Sequence, residues 1–379
     1  MISGPIIALL ALSYLGPQKV TMHAEPFPLT AVRLMPGPFS DANQICVKYL
    51  ETIDPDRLLS RFRKNSGLEP KGKIYGGWED SGLAGHSLGH FLTACAQEVA
   101  SSGNQKLKVK LDYIVSELVA CQKNRPDGYI AAMPDGDRVW AEVKRGDIRS
   151  HGFDLNGLWS PWYTHHKVLI GLIDAYKLTA NKDALGVAKK FADWMIEETK
   201  TLTPEQWEKM LGCEYGGMND ALAELFSITN QSQYLELARK FYDQRVLDPL
   251  SKGEDDLPGK HSNTQIPKII GLARLAEVAP EPKDAKVARF FWDTVVHHHT
   301  YAIGGNSNHE YLGKPDELSD RLSSNTCETC NTYNMLKLTR HLFEWEPKAE
   351  YFDFYERAHL NHILASQDPK TGGVTYFMP

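Results

Sequence analysis

Residues 323–343, SSNTCETCNTYNMLKLTRHLF, set two cysteines and a carboxylate directly ahead of a helical pattern. From Tyr333 onward, Met335, Leu336, Leu338, Leu342 and Phe343 recur at near-helical spacing, so one face of this segment is expected to be buried. Cys327, Glu328 and Cys330 lie where such a helix begins. Cys327 and Cys330, three apart, would share a helix face. Glu328 and Cys330, two apart, converge only if the backbone there is still extended or irregular. Thiolate sulfur and carboxylate oxygen are both zinc ligands, and a helix N-terminus helps keep a thiol ionised. The same residues have plainer uses. Asn325 as N-cap with Glu328 at N3 would resemble a capping box, and the cysteines would serve as small buried hydrophobes or as a redox pair.

Working outward, the same unit recurs upstream: a polar or Gly-rich opener, an apolar helix, a short turn and a second helix. A helix from His86 is followed by one over 107–121. His165-His166-Lys167 opens a helix to residue 178, followed by 184–198. Tyr215-Gly216-Gly217-Met218 opens one to residue 228, followed by 234–246. His261 opens one to residue 278, followed by 284–296. The 327–343 helix is the fifth opener, followed by 351–365. The intervals are irregular, so this is a structural repeat without a repeated sequence. Helix hairpins in this number predict an all-α toroid of inner and outer helices, with the openers gathered at one end around a cleft. Two inserts, 126–164 and 298–325, would shape that cleft. Ahead of the hairpins, Leu29, Val32 and Leu34 alternate like a short strand, and 41–62 reads as one or two helices.

Several function classes fall away on composition. With 379 residues and 42% hydrophobic content the chain can bury a large core, and its net charge of −6 gives no basic footprint for nucleic acid. Six cysteines at irregular spacing do not form a disulfide framework in a chain this long. Residues 5–15 are apolar but too short to span a bilayer, and no other stretch would cross a membrane. Residues 1–24 read as a signal-peptide core lacking its usual positive charge, which points to a secreted or periplasmic protein. The barrel would then occupy 25–379.

The second notable loop is Gly304-Gly305-Asn306-Ser307-Asn308-His309-Glu310, where a carboxylate sits in a non-helical Gly-rich segment. His165, His166 and His261 each open an inner helix. Singly, each is more often a polar cap, but the toroid would bring the three together. Trp78, Trp159 and Trp162 lie in the openers and could stack on sugars or pack in the core. Asp80, Asp154 and Asp220 add carboxylates to the same rim. The run His297–His299 ends an outer helix and is read as solvated.

Taken together, YGGWE and GHSLGHFL (75–92), HHKVLIGLIDAY (165–176), YGGMND (215–220), GKHSNTQIPKIIG (259–271), IGGNSNHEYLG (303–313) and CETCNTYNMLKLTR (327–340) resemble the β-L-arabinofuranosidase family of glycoside hydrolases. The resemblance runs over about 26–379 and implies an (α/α)6 catalytic domain acting on an arabinose-containing glycan by a retaining mechanism. It also implies Glu310 as the acid/base and Glu328 and Cys330 as zinc ligands. His165 or His166, together with His261, would be sugar contacts, and Trp78, by its place in an opener, would add a stacking platform. Cys327 acquires no role from it. The family's remaining zinc ligands are an adjacent cysteine pair, one of them the nucleophile, and this sequence contains no such pair. The resemblance therefore implies a zinc site and a domain incomplete at the C-terminus, a chain close to inactive as it stands, and Cys330 free to pair with Cys327. Two other readings remain open: a glycosidase using only carboxylates such as Asp154, Asp220 and Glu310, or a non-catalytic carbohydrate-binding protein.

Overall fold

The computed structural model describes residues 19–379. The apolar run at 5–15, and with it most of the proposed signal segment, lies outside the described residues. Residues just after it are tied to the domain: His23 and Ala24 donate backbone hydrogen bonds to the Glu344 carbonyl, at 2.8 and 3.1 Å.

Among the described residues, fifteen α-helices dominate. They are α1 (Pro38–Thr52), α2 (Pro55–Asn65), α3 (His86–Ser102), α4 (Gln105–Asn124), α5 (Gly136–Lys144), α6 (Pro161–Thr179), α7 (Lys182–Thr199) and α8 (Pro204–Met210), followed by α9 (Met218–Thr229), α10 (Ser232–Lys240), α11 (Gln244–Lys252), α12 (Ser262–Val278), α13 (Asp284–His298), α14 (Thr329–Trp345) and α15 (Ala349–Ala358). The inner row packs in chain order, α3 on α6, α6 on α9, α9 on α12 and α12 on α14. The outer helices α4, α7, α10, α13 and α15 each return along their inner partner. This is the toroid of hairpins that the recurring openers predict, and no described helix is long and apolar enough to cross a membrane.

Small residues let the inner helices approach. A Cβ on Gly89 would lie 2.1 Å from the Lys167 carbonyl oxygen, and one on Gly171 would lie 2.5 Å from that of Gly89. The α3–α6 crossing thus admits nothing larger than glycine on either side. Around it, Leu88, Leu92, Leu169, Leu172, Leu222 and Ile269 are fully buried, and each such side chain contributes about 1.5–3 kcal/mol by leaving water.

Four local expectations are corrected. Leu29–Ala31 is a 3₁₀ turn, and Leu29, Val32 and Leu34 stay exposed, because no neighbouring strand offers hydrogen bonds. The expected 234–246 helix breaks between Lys240 and Gln244. There Asp243 turns inward to meet Lys268 at 2.7 Å, an ion pair with both side chains 3% exposed. A buried ion left without its partner costs about 3–5 kcal/mol, enough to outweigh one more helical turn. The last helix ends at Ala358 and passes into a π-helical segment, His359–Leu364. Finally, α14 starts at Thr329 with Glu328 at its N-cap, so Asn325 does not cap it.

The two inserts form the rim. In the first, α5 precedes a three-stranded antiparallel sheet, β1 (Ser150–His151), β2 (Asp154–Leu155) and β3 (Leu158–Trp159). Asn156-Gly157 makes the β2–β3 turn with φ of 53° and 88°, the left-handed pair that a tight hairpin requires. The second insert is built from single bridges, among them His261 with Tyr311 and Asn308 with Thr326.

Candidate active site

Glu310 sits on a strained loop. Ser307, His309 and Glu310 all have positive φ (72°, 48° and 72°), which costs non-glycine residues on the order of 1–3 kcal/mol each unless neighbours hold them. The neighbours do. Asn331, in the first turn of α14, donates through Nδ2 to Asn306 Oδ1 (3.0 Å) and Ser307 Oγ (2.9 Å). Ser262, at the start of α12, donates to Asn306 Oδ1 at 2.7 Å and through its backbone N–H to the Glu310 carbonyl at 2.8 Å. Two inner-helix starts thus fix the direction of the Glu310 side chain.

His261 closes one flank. It caps α12, its Nδ1 accepting from the Thr264 backbone N–H at 3.3 Å, so its Nε2 carries the hydrogen. That nitrogen lies 3.4 Å from Glu310 Oε2. Burial holds the imidazole below its ordinary pKa, partly offset by Glu310.

Glu328 and Cys330 close the other flank. Glu328 is 1% exposed with extended backbone (φ −67°, ψ 130°), which lets its carboxyl converge with the Cys330 thiol. Burial pushes Glu328 up to about 7, and the nearby Glu310 adds to the shift. Burial and then the Glu328 charge push the Cys330 thiol up to about 12.

Tyr376, which nothing in the sequence singles out, joins the two carboxylates. Its hydroxyl is 2.7 Å from Glu310 Oε1 and 3.1 Å from Glu328 Oε1. One hydroxyl proton serves only one acceptor, so a protonated Glu328 donating to Tyr376, with Tyr376 donating to Glu310, satisfies all three. Tyr376 is placed by backbone pairing: Thr329 N–H donates to the Tyr376 carbonyl at 3.0 Å, and Met378 N–H to that of Cys327 at 3.1 Å.

The donor set suits a metal. Glu328 Oε2 is buried without a hydrogen-bond partner, beside a thiol. His261, Glu310 and Glu328 also offer ligand atoms within 4.8 Å of one another. Nitrogen, carboxylate and sulfur donors are the zinc repertoire, and a bound cation would remove the penalty that keeps Glu328 and Cys330 protonated.

The other residues singled out in the sequence scatter. His165 does not reach this cluster. It is fully buried among Tyr129, Trp140, Trp162, Phe191 and Trp194, neither ring nitrogen has a partner, and burial alone drives it down to about 3. Trp162 belongs to that aromatic core. His166 is buried, its Nδ1 accepting from Gly217 N–H at 3.2 Å. Trp78 is 53% exposed and stacks edge-on at 5.9 Å against His86, itself 6.1 Å from the Tyr163 ring. Asp80 pairs with Arg61, Asp154 accepts from Gly157 N–H, and Asp220 is held up by burial within the barrel. Cys327 precedes the helix with φ 59° and packs against Gly305, so it shares no face with Cys330, and both are free thiols. Of the histidine run, His297 and His298 are exposed, but His299 is 1% exposed and pairs with Asp255 at 2.9 Å.

Comparison with known proteins identifies the family. Residues 31–379 match the family described as Beta-L-arabinofuranosidase, GH127 catalytic domain. The chain belongs to that family. A non-reducing end β-L-arabinofuranosidase of Bifidobacterium longum subsp. longum is 24% identical over 309 residues, covering 73% of this chain and 45% of that protein. Among solved structures, a GH127 β-arabinofuranosidase superposes with a TM-score of 0.70 at 20% identity, over 93% of this chain and 56% of that one. A GH127 β-L-arabinofuranosidase from Geobacillus stearothermophilus T6 gives 0.67 at 17% identity, over 90% and 57%. At these identities the superpositions speak for the fold, an (α/α)6 barrel. The chain spans about half the length of these GH127 relatives.

Proposed function

We propose that this chain carries the acid/base and part of the zinc site of a retaining glycoside hydrolase that removes β-L-arabinofuranosyl units from the non-reducing end of arabinose-containing glycans. Membership of the GH127 family and the printed activity of the Bifidobacterium relative support the substrate class. The observation that carries the reading is the convergence of Glu310, Glu328, Cys330 and His261 around the Tyr376 hydroxyl, from segments far apart in the chain.

In this reading Glu310 gives a proton to the departing glycosidic oxygen and later takes one from the incoming water, the two halves of a retaining exchange. His261 Nε2 holds one carboxylate oxygen and Tyr376 the other, which fixes the orientation of the Glu310 carboxyl. Glu328 and Cys330 would hold zinc, whose chemistry is to keep a coordinated thiol ionised. Secretion or a periplasmic location belongs to the same proposal, since polymeric glycans lie outside the cell.

The test is a calorimetric titration with methyl β-L-arabinofuranoside, with and without zinc, beside turnover of a chromogenic β-L-arabinofuranoside. Saturable binding that Glu328→Ala weakens supports the reading. No binding, or binding indifferent to Glu310 and Glu328, refutes it.

A further inference from the structure

Gly304 and Gly305, at the base of the Glu310 loop, lie against the end of α15 and the π-helical segment that follows it. A Cβ on Gly304 would lie 2.5 Å from that of Ala358, and one on Gly305 would lie 2.6 Å from that of Cys327 and 2.8 Å from His362 Nδ1. Gly304 also has φ 93°, in the left-handed region that favours glycine. A side chain at either position would lift the loop off this seat. His362, within the π-helical segment, is fully buried, as are Thr332 and Ala358, and Cys327 is 1% exposed. The His362 Nδ1 is 2.7 Å from the Thr332 hydroxyl, which stands two residues beyond Cys330 at the start of α14.

The joint is dry and uncharged. Burial holds the His362 imidazole down to about 4, so the ring is neutral near pH 7 and contributes direction rather than a field. A hydrogen bond sealed from water is stronger than one in water, and a buried hydroxyl left without its partner is costly. The Thr332–His362 pair therefore resists rotation of the first turns of α14, while the same ring abuts Gly305. One side chain thus touches both the helix start that bears Cys330 and the loop that bears Glu310. Cys327, which has no part in the cluster around Tyr376, fills the remaining side of the joint, with its Cβ and thiol packed on Gly305.

We infer that His362 is a positioning residue: through Thr332 and Gly305 it holds the Glu328–Cys330 segment and the Glu310 loop in one fixed relation, with Cys327 as packing in the same joint. The inference rests on the functional reading above, since the groups whose spacing it sets are the acid and the zinc ligands. π-helical turns are rare and recur at functional sites. Here the turn carries the residue that keys the two halves of the site together.

The experiment separates the hydrogen bond from the bulk. His362→Leu keeps most of the volume and loses the bond, whereas His362→Asn loses volume but keeps a polar atom where Nδ1 stands. In calorimetric titrations of the full chain, His362→Leu should bind zinc roughly tenfold more weakly than wild type, and His362→Asn within about threefold of it, whichever melts lower. Thr332→Val should match His362→Leu, and the double variant should be no weaker than either alone. If His362→Asn loses as much as His362→Leu, if the two losses add, or if His362→Leu binds within about twofold of wild type, the positioning role is refuted and the functional reading stands. If wild type binds no zinc, the zinc part of the functional reading fails, and hydrogen exchange judges the joint by itself. Faster exchange in His362→Leu confined to residues 304–310 and 327–332, and restored in His362→Asn, supports the positioning role. Unchanged exchange, or acceleration spread through the whole barrel, refutes it.

Discussion

Two neighbourhoods in this barrel bury ionisable side chains, and they come to opposite ends. Around His165, five aromatic residues exclude water and offer no partner, so the imidazole is held neutral, down to about 3. Around Glu328, burial also favours the neutral form, up to about 7, but the surroundings are a thiol, a phenol, a second carboxylate and an imidazole. Desolvation is the first cause in both. What distinguishes a candidate site from a piece of core is the convergence of further polar groups from separate segments, together with an orphaned acceptor aimed at a ligand. His165 and Glu328 both lie at the start of an inner helix, so position in the repeat alone does not separate them.

Four experiments break or sharpen that contrast, taken from the largest effect to the smallest. Where the protein turns over a chromogenic arabinofuranoside, Glu310→Gln should lower kcat/KM by about 10²–10⁴-fold. His165→Phe should change it by less than about threefold, the range expected of a substitution away from the chemistry. An equal loss in both would erase the distinction between the two regions.

The second reads His165 through stability. Its folded-state value, about 3, lies below the ordinary 6.5, so between those limits the unfolded chain binds a proton that the folded chain refuses. Its contribution is therefore intact above about 6.5 and lost as pH falls toward 3. His165→Phe should remove on the order of 3 kcal/mol of acid sensitivity near pH 4, measured by urea unfolding at several pH values. An unchanged pH profile would mean that the ring is solvated in the native state.

Third, zinc titrated calorimetrically at pH 6 should bind with release of protons, because Glu328, held up to about 7, and Cys330, up to about 12, both keep theirs in the free protein at that pH. Glu328→Gln and Cys330→Ser should each weaken it by more than about tenfold. Metal binding that ignores both would move the centre elsewhere. The smallest effect concerns His261, which both caps α12 and touches Glu310. Asparagine is an equally good cap, so His261→Asn should leave Tm within about 2 °C yet reduce turnover roughly tenfold. A large drop in Tm with unchanged activity would make His261 a cap and nothing more.

Much of this protein was legible without coordinates. The alternation of polar openers with apolar helices determines the inner and outer rows, because an inner helix must be apolar nearly all round and an outer one on a single stripe. The start of α3 at His86 follows from the Gly-rich opener ahead of it. Asn156-Gly157 likewise dictates its own turn. Glu310, Glu328, Cys330 and His261 stand out as polar residues in openers, and they meet.

Only the tertiary structure decided the rest. Adjacent His165 and His166 look alike in the chain, yet helical rotation carries one into an aromatic cage and the other against Gly217. The break at 241–243 depends on Lys268 arriving from another hairpin. Tyr376 stands 66 residues from Glu310 and 48 from Glu328, with no local signature, and is recruited by backbone pairing to the segment ahead of α14. Local propensity is written in neighbouring residues and can be read from them. A hydroxyl placed between two carboxylates is a relation among three distant segments, fixed only when the packing of the ring brings them to one end.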